Sequence, residues 1–132
     1  MPAKAAAATS SQGEIYDQVE SLLRHFSPPF TVGPGGKVGS KRHYDLVSKK
    51  EVLIDGRKRT EHYFASVIEQ KGYIGFYFSV PLALRPTISP RLLKTLKGKS
   101  CFHITSLDDV LLADMKAALE LGLQHFRSQG WV

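Results

Sequence analysis

The sequence has little cysteine and no long apolar segment, and both shortages limit the classes of protein to which it can belong. Its single cysteine, Cys101, cannot form an internal disulfide, which is typical of proteins from a reducing compartment. A run of about 20 apolar residues, which a membrane-spanning helix needs, is missing, and so is a basic-then-apolar secretory start. We therefore expect a cytoplasmic protein that has no membrane partner.

The better-known signatures of catalysis and metal binding are missing as well. The glycine-rich segment GPGGKVGS is not a phosphate-binding P-loop, because Lys37 is followed by Val38 rather than by Ser or Thr. Neither G-x-S-x-G nor H-E-x-x-H occurs. The cysteine and the histidines lack the spacing of a four-ligand zinc site. The sequence thus favours a protein that is not an enzyme and has no cofactor, with a flexible loop or irregular edge segment over 31–40.

The length and the hydrophobic content indicate one domain. A chain of 132 residues, 42% of them hydrophobic, removes about two-thirds of its unfolded surface from water, which is enough for a single core. The first residues are rich in alanine and carry no core pattern. We expect 1–10 to be a disordered tail and 11–132 to be a single α+β domain.

Apolar residues spaced three and four apart predict three helices. The first begins at Ser11, which forms a capping-box spacing with Glu14, and it ends at Pro28 and Pro29. A two-turn helix follows Ser89 and runs to Gly98. The last helix, capped by Ser106 and Asp109, ends near Gly130, and its apolar stripe includes Val110, Leu111, Met115, Ala118, Leu119, Gly122 and Phe126.

Between the helices the pattern changes to strands. YDLV, EVLI, HYFASVIEQ, YIGFYFSV and SCFHI are rich in β-branched and aromatic residues, with Asp55-Gly56 and Lys71-Gly72 as turns. In YIGFYFSV, alternation places Ile74, Phe76, Phe78 and Val80 on one face and Tyr73, Gly75, Tyr77 and Ser79 on the other. We expect an antiparallel sheet with the N- and C-terminal helices packed on one face, and the other face free for a partner.

Positive charge is concentrated in the sheet half. Residues 37–99 contain 14 Lys and Arg against five Asp and Glu, a net charge of +9. The predicted basic patch contains Arg57, Lys58, Arg59, Arg91, Lys94 and Lys97. Such residues attract phosphate, nucleic acid or an acidic protein, or they simply solvate a hairpin tip and a short helix.

The predicted ligand site lies on the sheet face away from the helices. Cys101 and His103, two apart on one strand, project from the same face, and they could share it with tyrosines. The full set is Tyr63, Tyr73, Tyr77, Lys99, Cys101 and His103. This aromatic, basic face predicts binding of a small anionic ligand or a protein partner. The alternatives are nucleic acid, a homodimer interface, a weak metal site or Cys-His nucleophile, and ordinary packing around a buried cysteine.

A tryptophan stands next to the C-terminal valine. The ring of Trp131 is expected to bury itself and fasten the last helix to the sheet.

Several of these segments together resemble a known family. DGRKRTEHYFASVIEQKGYIGFYFSV, ISPRLLKTLKGKSCFHI and a C-terminal helix ending in GWV are similar to the YdhG-like domain-of-unknown-function family of bacteria, over about Asp55 to Val132. The resemblance implies a frataxin-like α+β architecture. One branch of the family is linked to intracellular iron delivery.

The resemblance therefore implies iron as an alternative ligand. Iron is a hard cation in such proteins and prefers carboxylate oxygens as ligands. The candidate ligands are Asp108, Asp109 and Asp114, together with the first-helix acids Glu14, Asp17 and Glu20. The basic sheet half departs from the acidic surface that this chemistry needs, and acids in the first turn of a helix also complement its dipole.

Overall fold

The computed structural model describes residues 11–33, 42–78, 82–98 and 101–132. The predicted tail, most of the predicted loop over 31–40, and Ser79, Val80 and Lys99 lie outside these residues. The described chain forms a layer of helices on one face of an antiparallel sheet, as predicted. Within it, no helix combines the length and the hydropathy needed to cross a membrane.

Three α-helices and eight strands make up this structure. The helices are α1 (Gln12–Arg24), α2 (Pro90–Leu93) and α3 (Asp109–Gln129), with a 3-10 helix at Leu82–Thr87. The strands are β1 (Thr31–Val32), β2 (His43–Ser48), β3 (Val52–Ile54), β4 (Arg57–Arg59), β5 (His62–Gln70), β6 (Tyr73–Phe78), β7 (Leu96–Lys97) and β8 (Cys101–Ile104). The main sheet has the order β1-β2-β5-β6-β8-β7, and all of its pairs are antiparallel.

The hairpin β3–β4 forms a separate two-stranded sheet. Its turn is Asp55-Gly56, and both residues have the positive φ angles that a tight turn of this kind requires. The prediction of a strand in EVLI is confirmed, but this strand pairs with the RKR segment that follows it. The sequence pattern does not predict a strand there, because three consecutive charged residues lack the alternation of a β-strand.

The two long helices bury the predicted apolar faces. In α1, which begins after Ser11 as predicted, Ile15, Val19 and Leu23 are fully buried. Helix α3 ends at Gly130, whose φ of 76° is left-handed as in a helix C-cap. The predicted N-cap of α3, Ser106, was wrong by two residues: the N-cap is Asp108, whose carboxylate accepts the amide N–H of Leu111 at 2.8 Å. Val110 was wrongly placed in the core, since it is 52% exposed.

The predicted two-turn helix after Ser89 has only one turn. The hydroxyl of Ser89 caps it by accepting the amide N–H of Arg91 at 3.2 Å, as the Ser-Pro pair predicts. The chain then enters β7, where Leu96 pairs with Phe102 of β8. Pairing with the sheet edge thus overrides the local helical pattern, whose three leucines do not distinguish a second turn from a strand.

The core lies between the sheet and the helices. Ile74, Phe76 and Phe78 of β6 are buried there, as alternation predicts. Helix α3 comes so close to the sheet that a Cβ atom on Gly122 would lie 2.6 Å from Cε1 of Phe78. Glycine therefore sets the distance between the two layers at this point.

A β-bulge interrupts β5. Leu46 of β2 pairs with Ala65, but the next residue, Val47, pairs with Tyr63, so Phe64 is an extra residue in β5. Phe64 and Ala65 are both buried in the core. The bulge changes the alternation, so Tyr63 lies on the opposite face with Ser66, to which its hydroxyl is hydrogen-bonded.

Candidate ligand groove and aromatic face

Most of the predicted ligand site is assembled on the sheet face away from the helices. Tyr77 pairs with Cys101 and Gly75 pairs with His103, so the side chains of β6 and β8 share this face. The rings of Tyr73 and His103 stack with their centroids 3.8 Å apart and their planes 8° from parallel. We call the surface made by Tyr63, Tyr73, Tyr77, Cys101 and His103 the aromatic face.

The polar groups of the aromatic face largely satisfy one another. The ring of Tyr77 occupies the space that a side chain on Gly75 would need, and its hydroxyl accepts a hydrogen bond from the Gln70 amide at 3.1 Å. Burial, and then a hydrogen bond with the Cys101 thiol, raises the pKa of Tyr77 to about 12. The aromatic face is therefore covered by packed rings, and the hydroxyl of Tyr77 is already engaged.

Tyr63 lies at the end of the aromatic face. Its hydroxyl turns inward, 2.8 Å from the Ser66 hydroxyl, and donates to the carbonyl of Tyr77 at 3.3 Å. Burial of this hydroxyl raises the pKa of Tyr63 well above its usual range. The residue as a whole is nevertheless 43% exposed. Tyr63 thus presents ring surface rather than its hydroxyl to a ligand.

The predicted basic residues do not form one patch. Arg57, Lys58 and Arg59 lie on β4, and Lys97, paired with Cys101, lies beside the aromatic face. Arg91 and Lys94 belong to α2 and its C-cap, and Arg91 lies 3.7 Å from Asp114 of α3 in the helical layer. The tertiary structure thus separates the basic residues of β4 from those of α2, and a count of charges along the chain does not predict this separation.

The acids considered as iron ligands are also dispersed. Asp108 caps α3, and Asp114 accepts the hydroxyl of Ser89 at 2.8 Å. In α1, Asp17 binds Arg42 and Glu20 binds Arg24. Within the described ranges, no three His, Cys, Asp or Glu residues are grouped so that they could hold a metal ion.

A groove of about 470 Å³ opens where the end of the aromatic face meets the C-terminal end of α3. One side comes from the β4–β5 connection and the other from α3 and the residues after it. The lining residues are Arg59, Glu61, His62, Tyr63, His125, Phe126 and Trp131. We call this the C-terminal groove. Arg59 and Tyr63 are among the predicted binding residues, but no pattern along the chain indicates that they would meet.

Aromatic contacts shape the C-terminal groove. The ring of His62 contacts those of Phe126 and Trp131 at centroid distances of 4.9 and 4.6 Å, and those two rings also contact each other at 5.2 Å. The backbone of Trp131 is fixed because its N–H donates to the carbonyl of Phe126 at 2.9 Å and its carbonyl accepts the Ser48 hydroxyl. The expected role of Trp131 in fastening the last helix to the sheet is therefore confirmed, although its ring is only partly buried.

The electrostatics of the C-terminal groove favour hydrogen-bond acceptors. Burial, and then the positive charge of Arg59, lowers the pKa of His62, so its imidazole is neutral at pH 7. The carboxylate of Glu61 is bound by Nζ of Lys49 at 2.6 Å. Arg59 has no acid within ion-pair distance among the described residues, and the Trp131 indole has no hydrogen-bond partner there. The groove thus contains one guanidinium without an ion pair among the described residues, together with the indole of Trp131 and the imidazoles of His62 and His125.

Comparison with known proteins found no matching family model, no matching curated protein and no matching solved structure. The fold and the groove define an α+β protein with a small-molecule-sized concavity at one end of its sheet.

Proposed function

We propose that the protein is a non-catalytic binding protein that takes a small anionic ligand in the C-terminal groove. One observation carries this proposal: an unpaired cation, Arg59, and two partly exposed rings, Tyr63 and Trp131, converge on one groove. Its volume of about 470 Å³ falls in the range of about 300–1,000 Å³ that is usual for small-molecule sites.

The charge distribution supports an anion. A planar guanidinium donates two parallel hydrogen bonds to a carboxylate or phosphate, and Arg59 is free to do so. The nearby acid, Glu61, is neutralised by Lys49. The net charge of +6 also favours the approach of a negatively charged ligand.

The centre of the aromatic face suits an anion less well. The hydroxyls of Tyr63 and Tyr77 are engaged within the face, and on the neighbouring strand Nε2 of His43 lies 2.5 Å from a carboxylate oxygen of Asp45. The strand pairing places Lys97 at the far edge, beside Cys101. We therefore place the ligand at the end of this face, where Tyr63 belongs to both surfaces.

The protein carries its own reporter for this proposal. Trp131 is the sole tryptophan of the chain and lines the groove, so its fluorescence reports on ligands bound there. We expect a saturable change in emission when anionic metabolites, acetate and inorganic phosphate are titrated as a panel. Arg59→Gln should weaken the response of a binding anion about tenfold or more, since a charge-assisted hydrogen bond contributes about 1.5–3 kcal/mol.

Arg57→Gln is the matched control. Arg57 is an equally exposed arginine of the same strand, and it does not line the C-terminal groove. A response that Arg57→Gln and Arg59→Gln weaken equally would indicate non-specific attraction to the hairpin and contradict the proposal. The absence of a saturable response to every anion at millimolar concentration would also contradict it.

We also propose the finer family assignment, a YdhG-like protein of frataxin-like architecture located in the cytoplasm. What supports it is the order of the elements, with one helix before an antiparallel sheet, one after it, and both on the same face.

A further inference from the structure

We infer that the ligand of the C-terminal groove is a planar aromatic carboxylate, bound through its ring by Tyr63 and Trp131 and through its charge by Arg59. This inference rests on the proposed function and specifies the chemistry of the ligand.

The walls of the groove favour a flat ring. Trp131 meets His125 and Phe126 edge to face, with planes at 86° and 89° to its own, and lies tilted by 34° against His62. These contacts hold the indole in one orientation, because three rings on two elements fix it. An aromatic ligand stacks against such a preordered ring without the entropy cost of ordering it.

The polar groups of the C-terminal groove favour a ligand that carries hydrogen-bond acceptors. The hydroxyl of Tyr63 is turned away towards Ser66 and the Tyr77 carbonyl, and the carboxylate of Glu61 is held by Lys49. The donors left for a ligand are the guanidinium of Arg59 and the indole N–H of Trp131, and the imidazoles of His62 and His125 can each donate or accept. A carboxylate accepts from both kinds of group, whereas an amine or ammonium group would find no unpaired carboxylate among the lining residues.

The size of the groove argues against a bare inorganic anion as its ligand. A phosphate ion would occupy a small part of about 470 Å³ and would leave the rings of Tyr63 and Trp131 in contact with water. A planar organic acid would cover those rings and remove them from water, which adds to its binding free energy.

The test is a titration of the ¹⁵N-labelled full chain, followed through the indole N–H cross-peak of Trp131. Because the chain has one tryptophan, this cross-peak is unique. The probes are benzoate, cyclohexanecarboxylate with a puckered ring, uncharged benzamide, and inorganic phosphate. We expect benzoate to bind about three- to tenfold more tightly than cyclohexanecarboxylate, as expected for aromatic stacking, and to shift the Trp131 cross-peak. Benzamide should bind at least about tenfold more weakly than benzoate, because its neutral amide cannot form the charge-assisted pair of hydrogen bonds with Arg59.

Two variants test how the groove recognises the acid. In Arg59→Gln the preference for benzoate over benzamide should disappear, and in Arg57→Gln it should remain. Equal affinities for benzoate and cyclohexanecarboxylate would overturn the aromatic specificity while leaving the proposed anion site intact. Benzamide binding as tightly as benzoate, or no binding of any of the anions, would overturn the inference together with the proposed function.

Discussion

Replacing Gly122 by alanine should destabilise the protein, although the same change usually stabilises a helix. Alanine is favoured over glycine by about 1 kcal/mol in a helix interior. In α3, however, the new methyl group would lie 2.6 and 2.7 Å from Cε1 and Cζ of Phe78 and 3.1 Å from Cε1 of Phe64. Both rings are buried and packed among other aromatic rings, so neither has space into which it can retreat.

The size of the effect follows from these two opposed contributions. Overpacking of a core typically costs about 1–3 kcal/mol, and contact with two rings belongs in the upper half of that range. After subtraction of the helix-propensity gain we expect Gly122→Ala to lower the free energy of unfolding by about 1–2 kcal/mol. In a domain of this length each kcal/mol lowers the melting temperature by about 3–6 °C.

Chemical denaturation followed by circular dichroism measures this difference, and Gly13→Ala is the matched control. Gly13 is also helical, but the nearest atom to its added Cβ would be Nη2 of Arg42, 4.0 Å away. Gly13→Ala should therefore leave stability unchanged or raise it by a few tenths of a kcal/mol, since it lies near the helix start. If Gly122→Ala proved as stable as the parent with an unchanged denaturant slope, the argument that glycine sets the distance between α3 and the sheet would be refuted.

Three further predictions concern the aromatic face and the groove. Because burial lowers the pKa of His62, the unfolded chain binds more protons below pH about 6.5, so stability should fall on acidification. In His62→Gln the difference in unfolding free energy between pH 7.5 and pH 5.5, measured by denaturation, should be smaller than in the parent. An unchanged pH dependence would contradict this prediction. Gly75→Ala should displace the ring of Tyr77 and so lower its pKa below about 12. The ionisation is followed by absorbance at 295 nm, and a titration curve identical to that of the parent would show that the ring stays in place. The aromatic face should support a homodimer at micromolar concentration that Tyr73→Arg weakens, and sedimentation velocity showing only monomer for the parent would exclude it.

The local chemistry of the sequence predicted much of the fold. The stripe through Ile15, Val19 and Leu23 and the alternation in YIGFYF both reflect one-sided burial, which spacing along a single element records directly. The same alternation placed Cys101 and His103 on one face of their strand, and it left open whether Tyr73 shares that face, because a strand of fixed period leaves two choices. The turn glycines at 56 and 72 and the helix end at Gly130 follow from the backbone angles that these positions require.

The C-terminal groove could not be predicted in this way. It depends on the distance between Arg59 on a hairpin and Trp131 beyond α3, which no local pattern records. Trp131 was assigned a structural role alone, although one ring can fasten a helix and still expose an edge to a ligand. The bulge at Phe64 was missed because Tyr63, Phe64 and Ala65 are three consecutive hydrophobic residues, and such a run does not show where the alternation shifts.

The bulge has a consequence for how this chain can change in length. A one-residue deletion at Phe64 would remove the extra residue and leave Val47 paired with Tyr63, so His62 and Tyr63 would keep the faces that they have now. The deletion would instead remove a ring that is buried in the core against Phe30, Phe78 and Phe126. A chain shortened by this residue should therefore keep the facing of its groove residues but lose stability, because truncation of a buried phenylalanine costs about 3–5 kcal/mol.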